Sequence, residues 1–163
     1  LVQCYPGQLN QVFMNILLNA IYALVESNKQ HEKIDKKNTN KSQSAEENQS
    51  CTKTQSSVSK STRLIPTIRI RTELSDKKKV IIKISDNGPG MTEDVRKRLF
   101  DPFFTTKPVG QGTGLGLSIS YEIVVNQHGG ELKCFSEPGK GAEFAIEIPL
   151  QQSSVAQILP RFA

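Results

Sequence analysis

The chain has no tryptophan, and its three cysteines, Cys4, Cys51 and Cys134, stand far apart in 163 residues. That spacing fits neither a disulfide framework nor the close pairs of a zinc site, which points to a reducing compartment, the cytoplasm. No uninterrupted apolar run approaches the length of a membrane span, and the opening LVQCYPGQ has neither the charged start nor the apolar core of a signal peptide. The fragment is therefore expected to be soluble, without direct membrane contact. Also missing are the Lys-Ser or Lys-Thr pair that closes a Walker phosphate loop, the GxGxxG spacing of a dinucleotide fold, and any Ser/His/Asp or Cys/His arrangement for nucleophilic catalysis.

A strong charge of one sign is absent from the patterned part of the chain. The formal net charge is +5, but residues 28–66 hold eight basic against four acidic residues, and the remainder holds thirteen against twelve. A basic stretch without interleaved aromatics reads as a solvated linker, so no nucleic-acid partner is expected. The same stretch is dominated by Asn, Lys, Gln, Ser and Thr with no apolar period, and reads as a disordered insertion inside one domain. His31 within it, in HEKIDKK, only loosely imitates a phosphoacceptor context. The domain is expected to span 1–150, with 151–163 a flexible tail.

The elements that are present flank this insertion. Leu1–Tyr5 reads as the tail of a strand and Pro6-Gly7 as a turn, as in the interior of a larger protein. From Gln8 to about Ser27, Leu9, Val12, Phe13, Ile16, Leu17, Ala20 and Leu24 fall on one helical face, while Asn15, Asn19, Tyr22 and Glu26 share a polar stripe. Thr67–Leu74 alternates as a half-buried strand, and Lys79–Ser85 returns as a more apolar one. Met91–Phe100 reads as a short helix with Thr92 as N-cap. Glu131–Ser136 and Ala142–Ile148 form a hairpin across Pro138-Gly139.

The chemistry concentrates between Asp86 and Ser120. Asp86 ends an apolar strand, where a fixed carboxylate can accept a hydrogen bond from an exocyclic amine such as that of adenine. Gly88 and Gly90 let the backbone turn tightly beside a flat ring. Further on, Gly112-Thr113-Gly114-Leu115-Gly116 opens a helical run to Val125, and a glycine-rich helix entry offers N–H groups to phosphates. The order of these features reads as a nucleotide site.

The segments DNGPG, LFDPFFTTK and GTGLGLSIS, with QLNQVFMNILLNA at 8–20, resemble the boxes of the ATP-binding catalytic domain of sensor histidine kinases, in the superfamily that also holds gyrase, Hsp90 and MutL. The resemblance implies an α/β, two-layer Bergerat-type sandwich, a mixed β-sheet covered on one face by helices, with a flexible ATP lid. It implies ATP and Mg²⁺ as cofactors, with Asn19 on the metal and Asn15 and Asn19 as the catalytic pair. Asn15 stands where gyrase-like ATPases carry a Glu that polarises water, and an amide cannot act as that base. The base pocket would be shaped by Asp86, Gly88 and Gly90, with Tyr22 and Met91 also binding the nucleotide. The lid would meet the nucleotide through Phe104, Thr105, Thr106 and Lys107, with Phe103 or Phe104 an apolar anchor and Lys107 in reach of a phosphate, and Gly112, Gly114 and Gly116, with Thr113, Leu115 and Leu117, would cradle the phosphates. The implied partners are a histidine-bearing dimerisation domain and a response-regulator receiver domain. A degenerate regulatory nucleotide-binding module and a gyrase-like ATPase switch are the competing readings.

Overall fold

The computed structural model describes residues 2–42, 65–76 and 78–151, with 30–42 as backbone only. Helix α1, Pro6–Ser42, starts with proline at its first position, where the missing N–H costs nothing, and the Tyr5 carbonyl accepts from the amides of Gln8 and Leu9 at 3.1 Å each. Leu9, Val12, Ile16, Ala20 and Leu24 are buried, and Phe13 and Leu17 pack at the margin, as the periodicity predicts. The helix runs past Ser27, so the expected structureless insertion begins as helix. Between Asn28 and Ser42 there is neither Gly nor Pro, and once a buried segment has nucleated a helix each further residue adds a hydrogen bond at little cost. The side chain of His31, residues 43–64 and the tail beyond Gln151 lie outside the described residues.

Among the described residues four strands form one sheet: β1 (Ile68–Ser75), β2 (Lys79–Asp86), β3 (Glu131–Ser136) and β4 (Ala142–Pro149), in the order β1-β2-β4-β3. Every pairing among the described residues is antiparallel, where the resemblance implied a mixed sheet. The reason is local: β1–β2 and β3–β4 are hairpins, and β4 docks beside β2 with Ile146 opposite Ile82 and Ile148 opposite Val80. Helices α2 (Glu93–Arg98) and α3 (Gly116–Tyr121) complete the helical side, and α3 continues through wider π turns over Glu122–Gln127. The single helix expected through Val125 therefore changes pitch at its midpoint.

The core lies between α1 with the π segment and the faces of β2, β4 and β3: Ile84, Phe144, Ile146, Ile148, Leu132 and Cys134 meet Val12, Ile16, Ile123 and Val124. Each such aliphatic side chain contributes about 1.5–3 kcal/mol by leaving water. Strand β1 departs from its half-buried expectation. Among the described residues it pairs with β2 alone, and Ile70 and Leu74 are exposed although their pleat continues the core face. On the opposite face charges pair across strands, with Lys83 to Glu73 at 2.8 Å and Lys79 to Glu147 at 3.5 Å.

Pro6–Lys29 is long enough, with a mean hydropathy of 1.2, to pass a length-and-composition test for a membrane span. This revises the expectation that no stretch comes near that length. Its buried residues face the sheet, so it is the core helix of this layer.

Candidate nucleotide cleft

The end of β2 delivers Asp86 to the floor of a cleft of about 880 Å³ between α1, the turn after β2, the loop before α3 and the edge of β4. Its Oδ1 accepts from the Gly88 amide at 2.8 Å, and the Ala142 amide also donates to the carboxylate. Burial pushes the acid above the ordinary carboxylate range, and these two N–H bonds partly oppose the rise.

The turn after Asp86 is fastened to the β3–β4 hairpin. The Gly139 amide donates to the Pro89 carbonyl at 2.7 Å, the Met91 amide to Ser136 Oγ at 2.9 Å, and Ser136 Oγ to the Gly141 carbonyl at 2.7 Å. Close approach explains two glycines. A Cβ on Gly90, at φ +69°, would lie 2.0 Å from the Glu137 carbonyl oxygen, and one on Gly141, at φ +78°, 2.0 Å from that of Asp86.

The polar stripe of α1 forms the second wall. Asn15 Nδ2 donates to the Gly116 carbonyl at 2.9 Å and to Ser120 Oγ at 3.2 Å, while Ser120 Oγ donates to the same carbonyl at 2.8 Å. Asn15 thus locks α1 to the first turn of α3. One turn on, Asn19 Oδ1 faces the cleft and accepts from the Lys107 ammonium at 2.9 Å. That ammonium also lies 4.5 Å from the centre of the Tyr22 ring, and the Tyr22 hydroxyl donates to Gln111 Oε1 at 3.3 Å. Burial pulls the Lys107 pKa down.

The loop between α2 and α3 forms the third wall. Phe104 is half-buried beneath the Arg98 guanidinium, 4.5 Å from the ring centre, whereas Phe103 is 73% exposed and held at φ 65°. Gly114, at φ +68°, passes so close to Phe103 that a Cβ would lie 2.3 Å from its carbonyl carbon. The Lys107 amide donates to Thr105 Oγ1 at 3.2 Å, and the Leu115 amide to Thr113 Oγ1 at 3.3 Å.

Of the residues expected at the site, Asn15, Asn19, Tyr22, Asp86, Gly90, Met91, Phe104, Thr105, Thr106, Lys107, Gly112, Thr113, Gly114, Gly116 and Leu117 all line this cleft. Gly88 and Leu115 do not. Gly88 is buried beside Ala23 and gives its amide to Asp86, and Leu115 is the residue before α3. Sequence reading missed Ala142 and Phe144, which line the β4 side of the cleft. Ala142 acts through its backbone, so its side chain carried no signal; only the glycine beside it marked the spot.

Residues 4–152 match the family described as histidine kinase-, DNA gyrase B-, and HSP90-like ATPase, and the chain belongs to that family. Within it, the chain is a catalytic ATPase domain of the sensor histidine kinase kind, and the family implies ATP binding. It is 35% identical over 153 residues to sporulation kinase E of Bacillus subtilis, covering 94% of this chain and 15% of that protein. It is 32% identical over 149 residues to the sensor histidine kinase ZraS of Salmonella typhimurium, covering 91% of this chain and 23% of that one. The chain thus spans less than a quarter of either relative. Among solved structures, the catalytic domain of histidine kinase ThkA aligns at 36% identity with a TM-score of 0.45, over 52% of this chain and 54% of that one.

Proposed function

We propose that this domain binds ATP with Mg²⁺ and transfers the γ-phosphoryl group to a histidine on a dimerisation domain of its parent protein, from which a response-regulator receiver aspartate takes it. The observation that supports this reading is the convergence on one cleft of a fixed carboxylate, Asp86, an amide oxygen that already holds a cation, Asn19 Oδ1, and the glycine-rich entry to α3. Asp86 selects adenine by accepting from its amine, and Gly90 and Met91 flank the ring. Lys107, Thr105, Thr106 and the amides from Gly112 to Leu117 receive the phosphates.

The residues fit a divalent ion. Asn19 Oδ1 already holds a cationic group. Among the described residues no cluster of three His, Cys, Asp or Glu could hold a metal alone, so the ion would arrive on the phosphates and take one protein oxygen, as Mg²⁺ commonly does. When bound it would neutralise phosphate charge. Asn15 has a positioning role: it sets α3, and its amide cannot activate water, which disfavours hydrolysis of the gyrase kind. Residues 1–150 form one domain carrying the 28–66 insertion, and the domain works in the cytoplasm.

The test incubates the chain with γ-labelled ATP and Mg²⁺, with and without an added histidine-bearing dimerisation domain of a related kinase. Acid-labile, base-stable label is expected on the added domain only, and lost with Asn19→Ala. Nucleotide binding without any transfer to a competent acceptor would replace the kinase reading with that of a regulatory nucleotide-binding module.

A further inference from the structure

Two stitches hold the lid against α1. Lys107 reaches Asn19 and the face of Tyr22, and Gln111 takes the hydroxyl of the same tyrosine. They land about one turn apart on the helix, on either side of the exposed bend at Val109-Gly110. The loop is folded around the lysine stem: a Cβ on Gly112 would lie 2.8 Å from Thr105 Oγ1 and 3.1 Å from Lys107 Cδ. Lys83, Lys133 and Lys140 each meet a carboxylate, whereas Lys107 rests on a neutral amide oxygen and a ring face. Neutral partners place a cation without neutralising it, and a divalent ion competes well for an oxygen ligand. Two cations cannot share one oxygen at contact distance without strong repulsion.

Resting on the nucleotide reading above, we propose that Lys107 is a tethered stand-in for the metal: in the nucleotide-free chain its ammonium occupies the Asn19 seat and pins the lid to α1, and it surrenders that seat to the divalent ion. Once displaced, the lysine is free to follow the phosphates. The lid is thereby released by the arrival of a metal-loaded nucleotide, whereas a metal-free nucleotide keeps Lys107 as its counter-ion.

Hydrogen exchange of the amides between residues 105 and 113, measured without nucleotide, tests the pin. Lys107→Met and Asn19→Ala should each speed exchange about three- to tenfold, and the double variant should be no faster than either, because both remove one contact. Unchanged exchange, or effects that multiply, would overturn the proposal. ATP binding by calorimetry, in Mg²⁺ and in EDTA, tests the exchange of cations. Lys107→Met should weaken metal-free binding about tenfold and metal-loaded binding less than about threefold, since the ion replaces the lost charge. Equal losses in both buffers would sink the idea. If the wild-type chain bound ATP in neither buffer, the nucleotide reading would fall and the cation exchange with it, a result distinguishable because the hydrogen-exchange arm contains no nucleotide.

Discussion

Asp86 shows how one side chain sets stability against binding. Its pKa is raised by burial, so between the ordinary carboxylate range and the raised value the folded chain holds more of this proton than the unfolded chain does. Its contribution to stability is therefore greatest in acid and declines as pH rises through the raised value. At neutral pH the ionised, desolvated group costs stability. Asp86→Asn keeps an acceptor for the Gly88 amide and removes the charge. The variant should unfold in urea at a midpoint equal to or above wild type at pH 7, with the advantage disappearing below about pH 4. Its affinity for ATP should fall about ten- to a hundredfold, since a charged hydrogen bond is worth about 1.5–3 kcal/mol. A wild-type chain clearly more stable than the variant at pH 7 would show that the carboxylate is not paying a desolvation penalty.

At the scale of elements, the π segment is closed by a histidine. His128 is 1% exposed; its Nδ1 pairs with the Ile123 carbonyl at 2.8 Å, and its Nε2 accepts from the Tyr5 amide at 3.1 Å. The Tyr5 ring meets it edge-on at 5.5 Å. These bonds place the ring proton on Nδ1 and tie the chain ahead of α1 to the turn ahead of β3. His128→Ala would leave the Tyr5 amide without its partner, while the Ile123 carbonyl would keep the backbone amide of residue 128 and lose only the ring, at a cost of about 1–3 kcal/mol by chemical denaturation. Nucleotide affinity should stay within about twofold at saturating folded fraction, because the residue lies outside the cleft. This element was half legible in the sequence: the glycine pair after His128 marked the helix end, but a π turn has no residue signature of its own. The buried face of α1 was fully legible from the spacing of Leu9, Val12, Ile16, Ala20 and Leu24. The exposure of β1 was not, because alternation reports which residues share a face and not whether a helix covers it. The continuation of α1 beyond Ser27 was hidden as well, since polar composition argues against burial and not against helix.

For the whole molecule, Cys134 offers a reporter of opening. It lies buried on β3 beneath the helices, and burial pushes its pKa up to about 12, so almost none of it is thiolate at neutral pH. Half-buried Cys4 has no comparable cover. With iodoacetamide at pH 8, Cys134 should be alkylated only as fast as the sheet and helix layers separate. ATP at about a hundred times its dissociation constant should slow that labelling by about a hundredfold, as linkage to about 2.7 kcal/mol of added stability requires. Labelling of Cys134 as fast as that of Cys4 would mean that the layers part locally without global unfolding.

The turn after Asp86 is riveted to the β3–β4 hairpin by backbone amides, while the loop carrying Lys107 is bonded to α1 by the side chains of Lys107 and Gln111. The cleft therefore has one fixed jaw and one sprung jaw. A nucleotide entering the cleft would meet a base side held by backbone bonds and, opposite it, a loop hydrogen-bonded to α1 through the two side-chain contacts of Lys107 and Gln111.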